Sequence, residues 1–204
     1  MFLTTLATDP IFFFRYILII IISISLHELA HGFAAISQGD DTPEITGHIT
    51  LNPVVHMGVE SIIFLCIAGI SWGQMPVNPY KFRNGRFSDI LVSAAGPLSN
   101  LALGFIFIAL LLVFFNSGLL SNEFLYLAAR INLTLFLFNM LPIPPLDGFS
   151  IFSNIFPGLR ELQGSPIGMF GLIIIFLIPG FSGALIGIAD SIIRGLLLFR
   201  TASL

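Results

Sequence analysis

His27, Glu28 and His31 fall within five residues of one another, inside an apolar stretch that runs from Ile11 to about Ser37. Two histidines at i and i+4 share one face of a helix, and here a carboxylate stands beside them. Two imidazole nitrogens can hold a zinc ion while the glutamate takes a proton from water. A charged group at mid-bilayer costs on the order of 3 kcal/mol, so ionisable residues there usually have a function. The five-residue pattern is a weak signal alone; its place in a membrane-length helix is what strengthens it.

A catalytic zinc takes three protein ligands and keeps one position open for water. The extended pattern with a third histidine fails, because Ala34 and Ser37 occupy the later positions. His48, His56, Glu44, Glu60, Asp147 and Asp190 are the candidates for the third ligand. Asp147 is the best of them. It closes the run Asn139-Met140-Leu141-Pro142-Ile143-Pro144-Pro145-Leu146-Asp147-Gly148, which follows an apolar span. The prolines break the helix there. Broken backbone at membrane depth is tolerated only where it is buried in protein or lines a cavity. Asp147 also matches the histidines in depth, provided that residues 59–70 turn back instead of crossing.

The elements that must position these groups belong to a membrane protein. Of 204 residues, 56% are hydrophobic and 9% charged, where a soluble domain carries about a quarter charged. Mean hydropathy is +0.99. The net charge of −3 and the lack of a basic run argue against a nucleic-acid partner. Cys66 is the single cysteine, which excludes an intrachain disulfide and a cysteine-based zinc site. Residues 1–10 hold no Lys or Arg, and the apolar run after them is too long for a signal peptide, so it is expected to be the first membrane helix. One membrane-embedded domain over 1–204 is expected, with a catalytic core at about 11–150 and a C-terminal helix pair at about 167–200.

The expected fold is an all-α polytopic membrane protein of about five transmembrane helices. Residues 11–37, 90–115, 124–141, 167–178 and 184–198 supply the spans. At 1.5 Å per residue the first is roughly 40 Å long, more than the ~30 Å hydrocarbon core. Residues 59–70 are short for a crossing and suit a re-entrant segment. Residues 44–52 alternate Ile45, Gly47, Ile49 and Leu51 with Thr46, His48 and Thr50, which predicts a small membrane-associated strand or β-hairpin. Trp72 and Tyr80 suit interface anchors. Lys81, Arg83, Arg86, Arg160, Arg194 and Arg200 all fall on one side, the cytoplasmic one, if 59–70 does not cross. Arg130 requires a partner or an interface.

Three separated motifs carry a family resemblance. His27-Glu28-x-x-His31, Gly96-Pro97-x-x-Asn100 and Asn139-x-x-Pro142-x-Pro144-x-x-Asp147-Gly148 resemble the site-2 protease family of intramembrane zinc metalloproteases (M50 type). Their order and spacing are similar to its minimal prokaryotic branch, which lacks PDZ and CBS domains. Gly39-Asp40-Asp41-Thr42-Pro43 and Leu51-Asn52-Pro53-x-x-His56 look like that branch too. The resemblance covers roughly residues 11–150. It implies one Zn²⁺ per chain held by His27, His31 and Asp147, with Glu28 as catalytic base. Asn139 and Asn100 are candidates to hold the substrate or its oxyanion, with Asn139 favoured. It further implies a transmembrane protein substrate, and a multi-pass location in a prokaryotic cytoplasmic membrane with the site toward the cytoplasm.

Two other classes stand beside this one. A membrane metal-ion carrier would show paired sites or inverted repeats, and neither is visible. A non-catalytic binder of transmembrane helices would not need Glu28.

Overall fold

The computed structural model describes residues 2–115, 117–162 and 166–202. Among them every regular element is helical: α1 (Thr5–Thr8), α2 (Pro10–Ser37), α3 (Thr42–Ile45), α4 (Pro53–Ala68), α5 (Arg86–Phe114), α6 (Asn122–Asn139), α7 (Asp147–Ile155), α8 (Pro166–Leu177) and α9 (Phe181–Ala202). Three stretches are long and apolar enough to cross a membrane: Pro10–Ser37, Arg86–Phe114 and Phe181–Leu198. These agree with three of the five expected spans. Residues 124–141 fall on α6, an 18-residue helix that carries Glu123, Arg130 and three asparagines. Residues 167–178 fall on the 12-residue α8. The chain groups into two compact units, 1–99 and 100–204.

In the first unit α2 starts sharply. Asp9 caps it by accepting from the Phe12 N–H at 2.9 Å, and Pro10 takes the first turn, where no N–H is needed. Its inner stretch from Ser23 to Gly32 is mostly buried, with His27, Glu28 and His31 among the buried residues. Ala35 packs with Phe82 and Val92, which holds the end of α2 against the start of α5.

α4 starts on an Asn52 cap and Pro53, and ends at Gly69 in the left-handed conformation. Gly58 sits at φ +71 inside it, so the helix is kinked and only residues 59–68 continue past the kink. At 1.5 Å per residue the whole 16-residue element is roughly 24 Å long, short of the hydrocarbon core.

The strand expected at 44–52 is not formed; no strand occurs among the described residues. Thr42–Ile45 instead make one helical turn, and Thr46 Oγ1 returns a hydrogen bond to the Thr42 carbonyl at 2.7 Å. Gly47 turns the chain at φ +72, and the His48 N–H goes back to the Pro43 carbonyl at 2.8 Å. The alternation misled because it has no buried face: Ile45 and Leu51 are 72% and 70% exposed. Local side-chain bonds from threonine compete with a ladder that has no partner.

In the second unit α6 and α9 pack through Ala129, Leu133, Ala189 and Ile193, joined by Ile108 of α5. Gly104 makes this approach close, since a Cβ on it would lie 2.8 Å from Leu133 Cδ2. Arg130 has its required partner. Its Nε donates to Asp190 Oδ1 at 2.6 Å and its Nη2 to Oδ2 at 3.0 Å. The Tyr126 hydroxyl donates to the same carboxylate at 2.9 Å. Beyond α6, residues 140–146 form a proline-rich loop that ends at Asp147, the first residue of α7.

Candidate metal centre

The helical spacing brings the two histidines together. Their Nε2 atoms are 3.0 Å apart, and the rings meet nearly edge to face. Val92 of α5 fixes one ring: His31 Nδ1–H donates to the Val92 carbonyl at 2.7 Å, which makes Nε2 the acceptor nitrogen of the neutral ring. Both side chains are buried. Zinc–nitrogen bonds of about 2.0–2.1 Å in a tetrahedron put two ligand nitrogens about 3.3 Å apart, so a small ring rotation fits this pair to one ion.

Gly96 makes room for that ion's ligands. A Cβ built on it would lie 2.3 Å from His31 Nε2 and 2.5 Å from His27 Nε2. Only a residue without a side chain lets α5 pass the nitrogen edges of both rings. Pro97 follows inside the helix, and Ser99 Oγ bonds back to the Gly96 carbonyl at 2.7 Å. Donor type, a fixed tautomer and a side-chain-free wall together fit a metal ion.

Glu28 is buried on the same helix. Against it lies Gly73, in the irregular segment 70–78 between α4 and the turn Pro79–Lys81. A Cβ on Gly73 would stand 2.4 Å from Glu28 Oε1 and 2.7 Å from Ile24 Cγ2. Nothing in the sequence around Gly73 marked it, because a lone loop glycine carries no periodic signal.

The first unit thus assembles His27, Glu28 and His31. Asp147, Asn139 and Asn100 belong to the second unit. Asp147 is half-buried at the head of α7. Gly148 holds the proline loop tight, since a Cβ on it would sit 2.4 Å from the Met140 carbonyl carbon. Asn139 ends α6. Asn100 is fully buried, and its Nδ2 donates to Asn132 Oδ1 at 3.2 Å; Asn132 in turn donates to the Ala128 carbonyl. Asn132 was not singled out in the sequence.

The other ligand candidates face elsewhere. Glu44 and Glu60 are exposed. His48 Nδ1 bonds within its own turn, to Thr46. His56 is fully buried and pairs its Nε2 with the Thr50 carbonyl at 2.6 Å. Asp190 is bound to Arg130.

Comparison with known proteins places the chain in a family. The sequence pattern of Peptidase family M50 matches residues 15–122 and 114–178, which is most of the chain. The chain belongs to peptidase family M50. The chain is similar to "Putative zinc metalloprotease YwhC" of Bacillus subtilis (strain 168), 38% identical over 185 residues, covering 83% of this chain and 84% of the relative. "Putative zinc metalloprotease Rip2" of Mycobacterium tuberculosis is 31% identical over 182 residues, covering 82% of this chain and 68% of the relative. "Zinc metalloprotease MJ0392" of Methanocaldococcus jannaschii is 27% identical over 146 residues, covering 71% and 35%. No solved structure matches the chain. The resemblance to site-2 proteases read from the motifs is therefore correct, and M50 membership makes this a membrane-embedded peptidase.

Proposed function

We propose that this chain is an intramembrane zinc metalloprotease that cuts a peptide bond within or near a transmembrane segment of a protein substrate. The carrying observation is the pair of facing Nε2 atoms at 3.0 Å, walled by Gly96 and set beside a buried glutamate. His27, His31 and Asp147 hold one zinc. Asp147 is the ligand chosen because a carboxylate completes two imidazoles chemically, and because the motif resemblance to site-2 proteases assigns that role to it. Zinc bound there supplies Lewis acidity and brings the pKa of water toward about 7.

Glu28 takes the proton from the water as it attacks the scissile carbonyl, and then passes it to the leaving amine. Burial of Glu28 keeps bulk water from competing for that proton. Asn139 is the residue assigned to hold the substrate oxygen or backbone. Asn100 is the lesser candidate, given its bond to Asn132. A helix hides its carbonyls, so the substrate must unwind before it is cut, and helix-breaking residues near the site favour cleavage.

The topology that accords with the basic residues has five spans, a re-entrant 59–70, the loop of Lys81, Arg83 and Arg86 in the cytoplasm, and the centre in the cytoplasmic half. The protein lies in the cytoplasmic membrane, and its two compact units serve one catalytic domain. M50 membership and the buried Glu28 disfavour an ion carrier or a mere helix binder.

The test uses a fluorescent single-span peptide with Gly and Pro near one end, in detergent micelles. Glu28→Gln keeps its zinc and loses about 100-fold or more in cleavage rate, the contribution of a positioned base. Cleavage by Glu28→Gln at the wild-type rate would overturn the role of the base.

A further inference from the structure

Segment 70–78 has no regular structure of its own, yet it lies against the proton-transferring carboxylate. Irregular connections ordinarily move more than the elements they join. This one is pinned near both ends by fully buried polar side chains. Near its start, Ser61 Oγ of α4 accepts from the Trp72 N–H at 2.9 Å and donates to the Trp72 carbonyl at 2.7 Å. At its end, Asp40 Oδ2 accepts from the Asn78 N–H at 2.6 Å. The other oxygen, Asp40 Oδ1, accepts from the Thr42 N–H at 3.0 Å, so the carboxylate is anchored in the bend that follows α2. Between the pins, the Gln74 N–H reaches the His56 carbonyl at 2.8 Å.

The consequence falls on Glu28. Gly73 sits between the Trp72 and Gln74 anchors and leaves no room for even a methyl group beside Oε1. Two residues on, Met75 lies along Gly32 of the same helix; a Cβ on Gly32 would meet Met75 Cε at 3.0 Å. The segment therefore follows α2 past the base and limits where the Glu28 carboxylate can swing. Hydrogen bonds to an ionised carboxylate are stronger than neutral ones, which suits Asp40 to an anchor.

We propose that Asp40 and Ser61 are positioning residues for Glu28, acting through the irregular segment 70–78. This rests on the reading of Glu28 as the base. Neither residue touches substrate or metal. Their effect is on the base alone, so their loss lowers kcat on the single-span peptide and leaves KM and zinc content as they were.

A substrate-free measurement tests the same point. Cys66 is replaced by Ser, and Ile24→Cys places one thiol under Gly73. Reaction of that thiol with N-ethylmaleimide reads how often the segment lifts. Asp40→Asn and Ser61→Ala each raise the labelling rate about tenfold, equivalent to about 1.4 kcal/mol. A thiol from Ile19→Cys, buried on the same helix, keeps its rate. An unchanged rate at position 24 in Asp40→Asn overturns the role of Asp40. An equal rise at position 19 overturns the proposal too, because it marks general loosening. If Asp40→Asn does not fold, Ser61→Ala carries the test of the pinned segment. Absence of zinc in the wild type would instead overturn the metalloprotease reading, whatever the thiols do.

Discussion

At the residue scale, the centre depends on what is missing as much as on what is present. Gly96 has no side chain, and any Cβ there overlaps the nitrogen edges of both histidines. Gly96→Ala is expected to lose zinc and cleavage together, while Ala94→Gly in the same helix retains both; metal analysis of the purified proteins checks this. The clustering of His27, Glu28 and His31 was legible because a helix repeats every 3.6 residues and the three lie within about one turn. Gly96 could be read only through the family resemblance. Gly73 and the Asn132 partner of Asn100 could not be read at all. Both act across long sequence separations that no local period encodes.

At the scale of elements, charge inside apolar helices does structural service as well. Arg130 and Asp190 tie α6 to α9 through two hydrogen bonds. Removing one partner of a buried pair costs about 3 kcal/mol or more, and somewhat less here because Arg130 is partly exposed. Arg130→Met should lower the thermal unfolding temperature in detergent, and Arg130→Met with Asp190→Leu should recover most of the loss. No recovery in the double variant would mean that the packing, not the pair, was lost. The sequence showed that Arg130 needed a partner or an interface, but Asp190 was read there only as a candidate metal ligand, and no pattern marked it as that partner. The same limit explains the missing strand. Alternation over seven residues looked like a sheet face, whereas threonine side chains and Gly47 close a local turn.

A surface contact between the polar segments has a pH signature. The Lys81 ammonium donates to Asp41 and holds its carboxyl below the ordinary carboxylate range. A folded pKa below the unfolded one stabilises the fold above the unfolded value and ceases to do so as pH falls through the folded value. Asp41→Asn should therefore unfold at a slightly lower temperature than wild type near neutral pH. The two should coincide once the pH is below the carboxylate range. The effect is small because the pair is solvent-exposed, and a difference that grows on acidification would contradict it.

At the scale of the whole molecule, membrane residence was plain from composition, and three of the expected spans are long apolar helices. The two shorter expected spans fall on α6, which carries buried polar groups, and on α8, which has only 12 residues. Function is divided along the chain. The first 99 residues hold two imidazoles and the proposed base, and the remainder supplies the proposed carboxylate ligand at the head of α7. The M50 pattern spans both parts. The most direct test of the central claim is zinc per chain in detergent-purified wild type and in Asp147→Ala. About one tightly held zinc is expected in the wild type, with its loss or marked weakening in the variant. No zinc in the wild type, or undiminished zinc in Asp147→Ala, would contradict a centre built from His27, His31 and Asp147.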